Sequence, residues 1–169
     1  MSHIQVCPLS KLSSTMAECQ ARWIVGLAGP GKEIDRPPQA TGGFLTLSFN
    51  DIGEERDGLI APSKSHVEEL LKFADTWDRS TPLLIFCWMG ISRSTAAALI
   101  CAMRTNSELD VRDLVQRLRE LSPMATPNPM MIRFGDELLN LEGELIKAVA
   151  EIGRGEDAFE GKPFALGLF

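Results

Sequence analysis

The chain contains no tyrosine, only two histidines and only four cysteines in its 169 residues. Without tyrosine it cannot be regulated by phosphorylation of its own tyrosine side chains. His3 and His66 do not combine with Cys7, Cys19, Cys87 and Cys101 into a convincing zinc-ligand pattern. The cysteine spacing does not describe a disulfide framework either, so stability has to come from an apolar core. Basic residues are not in excess: 17 Lys and Arg against 23 Asp and Glu leave a formal charge of −6. That balance argues against nucleic acid and anionic membrane as partners. No apolar run reaches the length of a membrane span, and the N-terminus has no signal-peptide pattern. A reducing cytoplasm is therefore the expected location.

What is present is ordinary for one globular domain, large enough to bury about two-thirds of its unfolded surface. Strands are expected over residues 3–7, 23–27, 44–49 and 83–86, from short apolar or alternating runs. Helices are expected over 13–20, capped by Ser13 or Ser14, and over 65–77, opened by a Ser65/Glu68 capping box. Further helices are expected over 95–103, over 110–121 with Asp110 as cap, and as one long element from Met131 to Ile152. In that scheme His66 falls in a first turn, facing solvent. Residues 29–43 read as a long Gly/Pro-rich loop. Composition shifts after Gly153, dividing the chain into a domain over 1–152 and a tail over 153–169. The tail's apolar end, Phe164 to Phe169, either folds back or docks on a partner. The resulting fold class is α/β, a central and mostly parallel sheet flanked by helices, with any ligand at the carboxyl ends of its strands.

The chain is organised around residues 82–94. A buried strand ends at Cys87, an Ala-rich helix follows, and between them lies Trp88-Met89-Gly90-Ile91-Ser92-Arg93-Ser94. A strand, a tight Gly-containing loop and a helix N-terminus aim the loop's amide N–H groups at one point, which makes an anion site. Cys87 would lie at the floor of that site. The amides, the helix dipole and Arg93 all favour a thiolate there.

Cys87-x5-Arg93-Ser94 resembles the phosphate-binding signature of the cysteine-dependent protein tyrosine phosphatases, in particular their compact dual-specificity-like branch. Residues 123–128, Pro-x-x-x-Pro-Asn, resemble a turn in the same family whose asparagine braces the phosphate loop. The resemblance spans roughly residues 1–150 and implies a protein tyrosine phosphatase-like fold. It implies phosphate monoester hydrolysis through a cysteinyl-phosphate intermediate, on a phosphotyrosine-containing protein or a small phosphate monoester. In that reading Cys87 attacks phosphorus, while Arg93 and the amides of Trp88, Met89, Gly90, Ile91 and Ser92 hold the phosphate. Ser94 hydrogen-bonds the departing thiolate. Asp51, 36 residues before Cys87, protonates the leaving oxygen, with Asp57 as the alternative acid. Arg36 is a lesser candidate for substrate contact, and Cys101 a candidate resolving thiol or a plain core residue. No metal or cofactor is implied.

Two positions depart from the family pattern: Phe86 stands where a histidine usually precedes the nucleophile, and Met89 where a small residue is frequent. The first departure makes a phosphopeptide-binding pseudophosphatase the alternative reading. A rhodanese-type sulfurtransferase is disfavoured, since its arginine typically comes one residue sooner. Nothing in the sequence fixes the oligomeric state.

Overall fold

A computed structural model describes residues 2–168; Met1 and Phe169, the last residue of the apolar tail, lie outside them. Five strands form one sheet: β1 (His3–Pro8), β2 (Trp23–Ala28), β3 (Gly43–Ser48), β4 (Leu83–Cys87) and β5 (Phe164–Gly167). Their order is β3-β2-β4-β1-β5, with β1 to β4 mutually parallel and β5 antiparallel on the edge beside β1. The all-buried β4 lies at the centre, as its unbroken apolar run requires. Register pairs Pro8 and Leu27 with Cys87, and Ala28 with Ser48. The loops that leave β1, β2, β3 and β4 therefore gather at one edge of the sheet.

Alternation along β4 separates two cores. Leu83, Ile85 and Cys87 face the larger one, under helices α2 (Lys64–Thr76), α3 (Arg93–Thr105), α4 (Val111–Leu121), α5 (Pro129–Leu138) and α6 (Glu144–Ile152). Leu84 and Phe86 face the smaller one, with Cys7, Met16 and Ile24, closed by α1 (Leu12–Cys19). In α3 every residue from Arg93 to Met103 is buried. Its alanines let it sit close to the sheet, and Gly135 of α5 admits Ile100 where a Cβ would lie 2.5 Å away.

Several expectations are corrected. The first helix follows a 3-10 turn at Leu9–Lys11 and has no side-chain cap; Ser14 Oγ instead donates to Lys11 O. Ser63, not Ser65, caps α2, because Ser63 is the last residue in extended conformation. His66 rather than Glu68 completes that capping box, and its ring packs 4.7 Å from Phe49 instead of facing solvent. Partial burial holds its pKa below the ordinary imidazole value. The long helix from Met131 is two helices. Asn140, Glu142 and Gly143 all take positive φ. The buried Asp136 carboxylate accepts N–H bonds from Gly143, Leu145 and Ile146, so α5 caps α6 and the chain turns there. The apolar repeat continues across this break, which makes the two helices look like one in sequence.

Candidate active site

Trp88 to Ser92 form the connection between β4 and α3. Gly90 has φ +67, and a Cβ on it would lie 2.7 Å from Pro8 N, so the turn admits only glycine. Four of the loop's carbonyls are held from outside. Trp88 O accepts from Leu9 N–H, Met89 O from Gly161 N–H, Ile91 O from Thr126 N–H and Ser92 O from Asn128 N–H, over 2.7–3.3 Å. In a trans peptide the carbonyl of one residue and the N–H of the next point opposite ways. Anchoring those carbonyls outward turns the N–H groups of Met89, Gly90, Ser92 and Arg93 to the other side of the loop. Together with the start of α3 they make a concave, donor-lined surface of the kind that binds anions.

Cys87, at the end of β4, is buried, and its Sγ lies 3.1 Å from Ser94 Oγ on the first turn of α3. Arg93 is 7 % exposed. Its Nη1 donates to Phe49 O at 3.0 Å, while its Nε is buried and has no hydrogen-bond partner among the described residues. An unpaired buried guanidinium N–H is costly unless an acceptor is brought to it.

Asp51 lies three residues beyond β3 and is tied to the loop. Ser92 Oγ donates to its Oδ1 at 2.7 Å, and Asn128 Nδ2 donates to the same oxygen at 2.8 Å and to Ile52 O at 3.0 Å. Asn128 also caps α5 by accepting from Met130 and Met131 N–H. One asparagine thus links the Asp51 segment, the phosphate-loop candidate and α5. Asp57 takes part in none of the side-chain hydrogen bonds or ion pairs found among the described residues, and it is exposed.

A cavity of about 260 Å³ opens beside Cys87 and Arg93, with walls from Leu9, Leu27, Ile34, Phe86 and Trp88. Trp88 forms an exposed rim. Phe86 fills space over Gly26, the residue opposite it on β2, where a Cβ would lie 2.7 Å from the ring. The position usually held by histidine is therefore part of an apolar cluster. Arg36 is turned into its own loop, where Nε and Nη2 both donate to Ala40 O; Lys32, Glu33 and Ile34 border the cavity instead. Cys101 is fully buried in α3, roughly 12 Å along the helix from Arg93 at its ordinary rise. Burial pushes its thiol pKa up, and it sits as a core residue. Cys7 is also buried, and desolvation raises its thiol to about 12.

The hydroxyl of Ser92 and the N–H groups of Leu9 and Gly161 escaped the sequence reading. Ser92 carried no signal beyond its place in the loop. Backbone donors carry none at all, because any residue but proline supplies one.

The sheet order, the strand–loop–helix site and the flanking helices are those of a protein tyrosine phosphatase-like α/β fold. No protein-family model matches the chain. The crystal structure of Tk-PTP in a mutant form matches with a TM-score of 0.51, at 20% identity, over 80% of this chain and 86% of that one. The chain is also 25% identical to human protein phosphatase Slingshot homolog 3 over 122 residues, which is 72% of this chain. It spans 18% of the length of that protein. These similarities relate the chain to the cysteine-dependent protein tyrosine phosphatase superfamily.

Proposed function

We propose that the chain hydrolyses phosphate monoesters, with protein phosphotyrosine as the preferred substrate, through a cysteinyl-phosphate intermediate. What supports this reading is that Cys87 and Arg93, whose Nε is buried and unpaired, line one cavity at the two ends of a loop whose carbonyls are held outward. The Cys87 thiolate attacks phosphorus in line with the leaving oxygen. The amides and Arg93 hold the equatorial oxygens and the charge that develops on them. Asp51 gives a proton to the leaving phenolate from Oδ2, since both of its hydrogen bonds engage Oδ1. It then takes a proton from the water that cleaves the S–P bond, releasing inorganic phosphate and the thiolate. Ser94 Oγ–H stabilises that thiolate as it departs. The cavity with Ile34, Phe86 and Trp88 suits a flat aromatic leaving group better than a short aliphatic one.

The test is hydrolysis of p-nitrophenyl phosphate and of matched phosphotyrosine and phosphoserine peptides by wild type and Cys87→Ser, in reductant. Wild type is expected to turn over and to prefer the phosphotyrosine peptide. Cys87→Ser is expected to lose at least about 10⁴-fold in kcat while still binding tungstate. The packing of Phe86 in place of histidine favours one competing reading, a phosphopeptide-binding module. An inert wild type that binds tungstate and phosphopeptide would establish it instead.

A further inference from the structure

The loop from Trp88 to Ser92 is braced from three directions, and one brace comes from the far end of the chain. After α6, residues 153–163 cross the outside of the loop before β5 joins the sheet. The crossing segment is fixed along its length. Gly155 N–H donates to Thr126 Oγ1 at 3.0 Å, and Glu156 N–H to Pro123 O at 3.0 Å. Ser10 Oγ donates to Glu160 Oε2 at 2.7 Å, and β5 then pairs with β1 from His3 to Val6. Between these anchors, Gly161 N–H donates to Met89 O at 2.7 Å. The approach is so close that a Cβ on Gly161 would lie 2.7 Å from Gly90 O and 3.4 Å from Met89 O.

The bond falls on the peptide that enters Gly90. Met89 O and Gly90 N–H belong to one peptide plane, and Gly90 at φ +67 has no Cβ to oppose rotation of that plane. If the carbonyl turned inward it would remove a donor from the anion site and put a partial negative charge in its place. Thr126, Asn128 and Leu9 hold the neighbouring peptides, and Gly161 holds this one.

We infer that Gly161 is a positioning residue for the anion site. Through it, residues 153–163 fix the Met89–Gly90 peptide with its N–H inward and so set the loop's affinity for a tetrahedral oxyanion. This rests on the phosphatase reading above and adds to it a role for the C-terminal segment. Gly161 itself does not touch the anion.

The test compares wild type, Gly161→Ala and the double variant Ser10→Ala/Glu160→Gln. Tungstate affinity is measured by calorimetry below the melting temperature of each protein, alongside kcat and KM for p-nitrophenyl phosphate. Gly161→Ala is expected to weaken tungstate binding and raise KM together, each about tenfold, with kcat changing less than about threefold. The double variant loosens the segment at the surface, and both quantities should move about two- to threefold in the same direction. A purely structural role would lower the melting temperature and leave the affinity of the folded protein alone. Wild-type tungstate affinity in folded Gly161→Ala overturns the inference. If Gly161→Ala does not fold, unchanged affinity in the double variant overturns it. A wild type that neither binds tungstate nor turns over removes the phosphatase reading, an outcome separate from failure of the brace.

Discussion

Two loops meet at the carboxyl edge of the sheet, and they are built in opposite ways. Residues 88–92 have four of their five carbonyls tied down, from three sides, with Gly90 buried against the backbone of β1. Residues 50–60 close on themselves instead. Asn50 N–H donates to Ile60 O, Ile60 N–H returns a bond to Asn50 Oδ1, and residues 53–59 between them are all exposed. The second loop is fastened to the first chiefly at its start, by Asp51 with Ser92 and Asn128. An anion cradle must present its donors before the ligand arrives, since reorganising them later would cost binding free energy. A carboxylic acid that meets a leaving group needs only its own side chain placed, and the rest of its loop is free to vary.

The sharpest way to break that contrast is to put the same methyl group in both loops. Gly90 and Gly58 share positive φ, +67 and +77, so alanine strains the backbone at either position. At Gly90 the new Cβ would also meet Pro8 N at 2.7 Å and Cys7 C at 3.0 Å, whereas nothing lies within 4 Å of one at Gly58. Gly90→Ala should therefore cost about 3 kcal/mol in denaturant unfolding, and Gly58→Ala about 1 kcal/mol. Equal losses would mean that residues 88–92 yield as easily as the outer loop.

Next in size is Asp51→Asn. The amide oxygen of asparagine can still accept from Ser92 and Asn128, so the tether survives and only the transferable proton is lost. Hydrolysis of phenyl phosphate, whose leaving group needs protonation, should slow about 10²-fold. The better leaving group of p-nitrophenyl phosphate should suffer less. A uniform loss on both substrates would point to a positioning role for Asp51 in place of proton transfer.

A third comparison concerns Phe86, which faces the smaller core while Cys87 faces the larger one. Placing a histidine there by Phe86→His would bury ring N–H groups among Cys7, Ile24 and Leu84, over Gly26. We expect a loss of about 2 kcal/mol in stability and no gain in turnover, read from thermal melts and p-nitrophenyl phosphate kinetics. A faster enzyme would show that the imidazole reaches the loop despite the packing of this chain.

The four parallel strands and the β4–loop–α3 unit were legible because local chemistry dictates them, whereas the apolar tail gave no sign that it would add β5 to the edge of the sheet. Leu83 to Phe86 are continuous and apolar, Gly90 stands where the chain must turn, and the alanines of α3 follow at once. Asn128 was legible through its Pro-flanked turn. The break between α5 and α6 was hidden, because the signal that causes it is one buried aspartate, Asp136, bonding to amides up to ten residues ahead. Its neighbours keep the apolar spacing of a single helix. Gly161 was hidden for a different reason: its donor is backbone, and its acceptor is 72 positions earlier in the chain. Periodicity and residue type report on burial and local conformation, not on which distant peptide a given N–H will meet.

The smallest effect should come from Asp57→Asn, and it is the most direct check on which carboxylate serves the site. Both aspartates lie in the same acidic excursion, 36 and 30 residues before Cys87, so spacing alone favours neither strongly. The structure separates them by their bonds. Asp51 shares Oδ1 with two donors, one from the loop and one from the α5 cap, so it is tied directly to the β4–α3 connection. Asp57 sits in the exposed outer turn next to Gly58, beyond the point where Asn50 and Ile60 close the loop. Losing one exposed negative charge there leaves the site's geometry untouched and alters its potential only through solvent, where salt screens it within about 10 Å. Turnover of phenyl phosphate by Asp57→Asn should stay within about twofold of wild type, with melting unchanged. A loss as large as that of Asp51→Asn would transfer the acid role to Asp57, and would require the outer loop to fold inward over bound substrate.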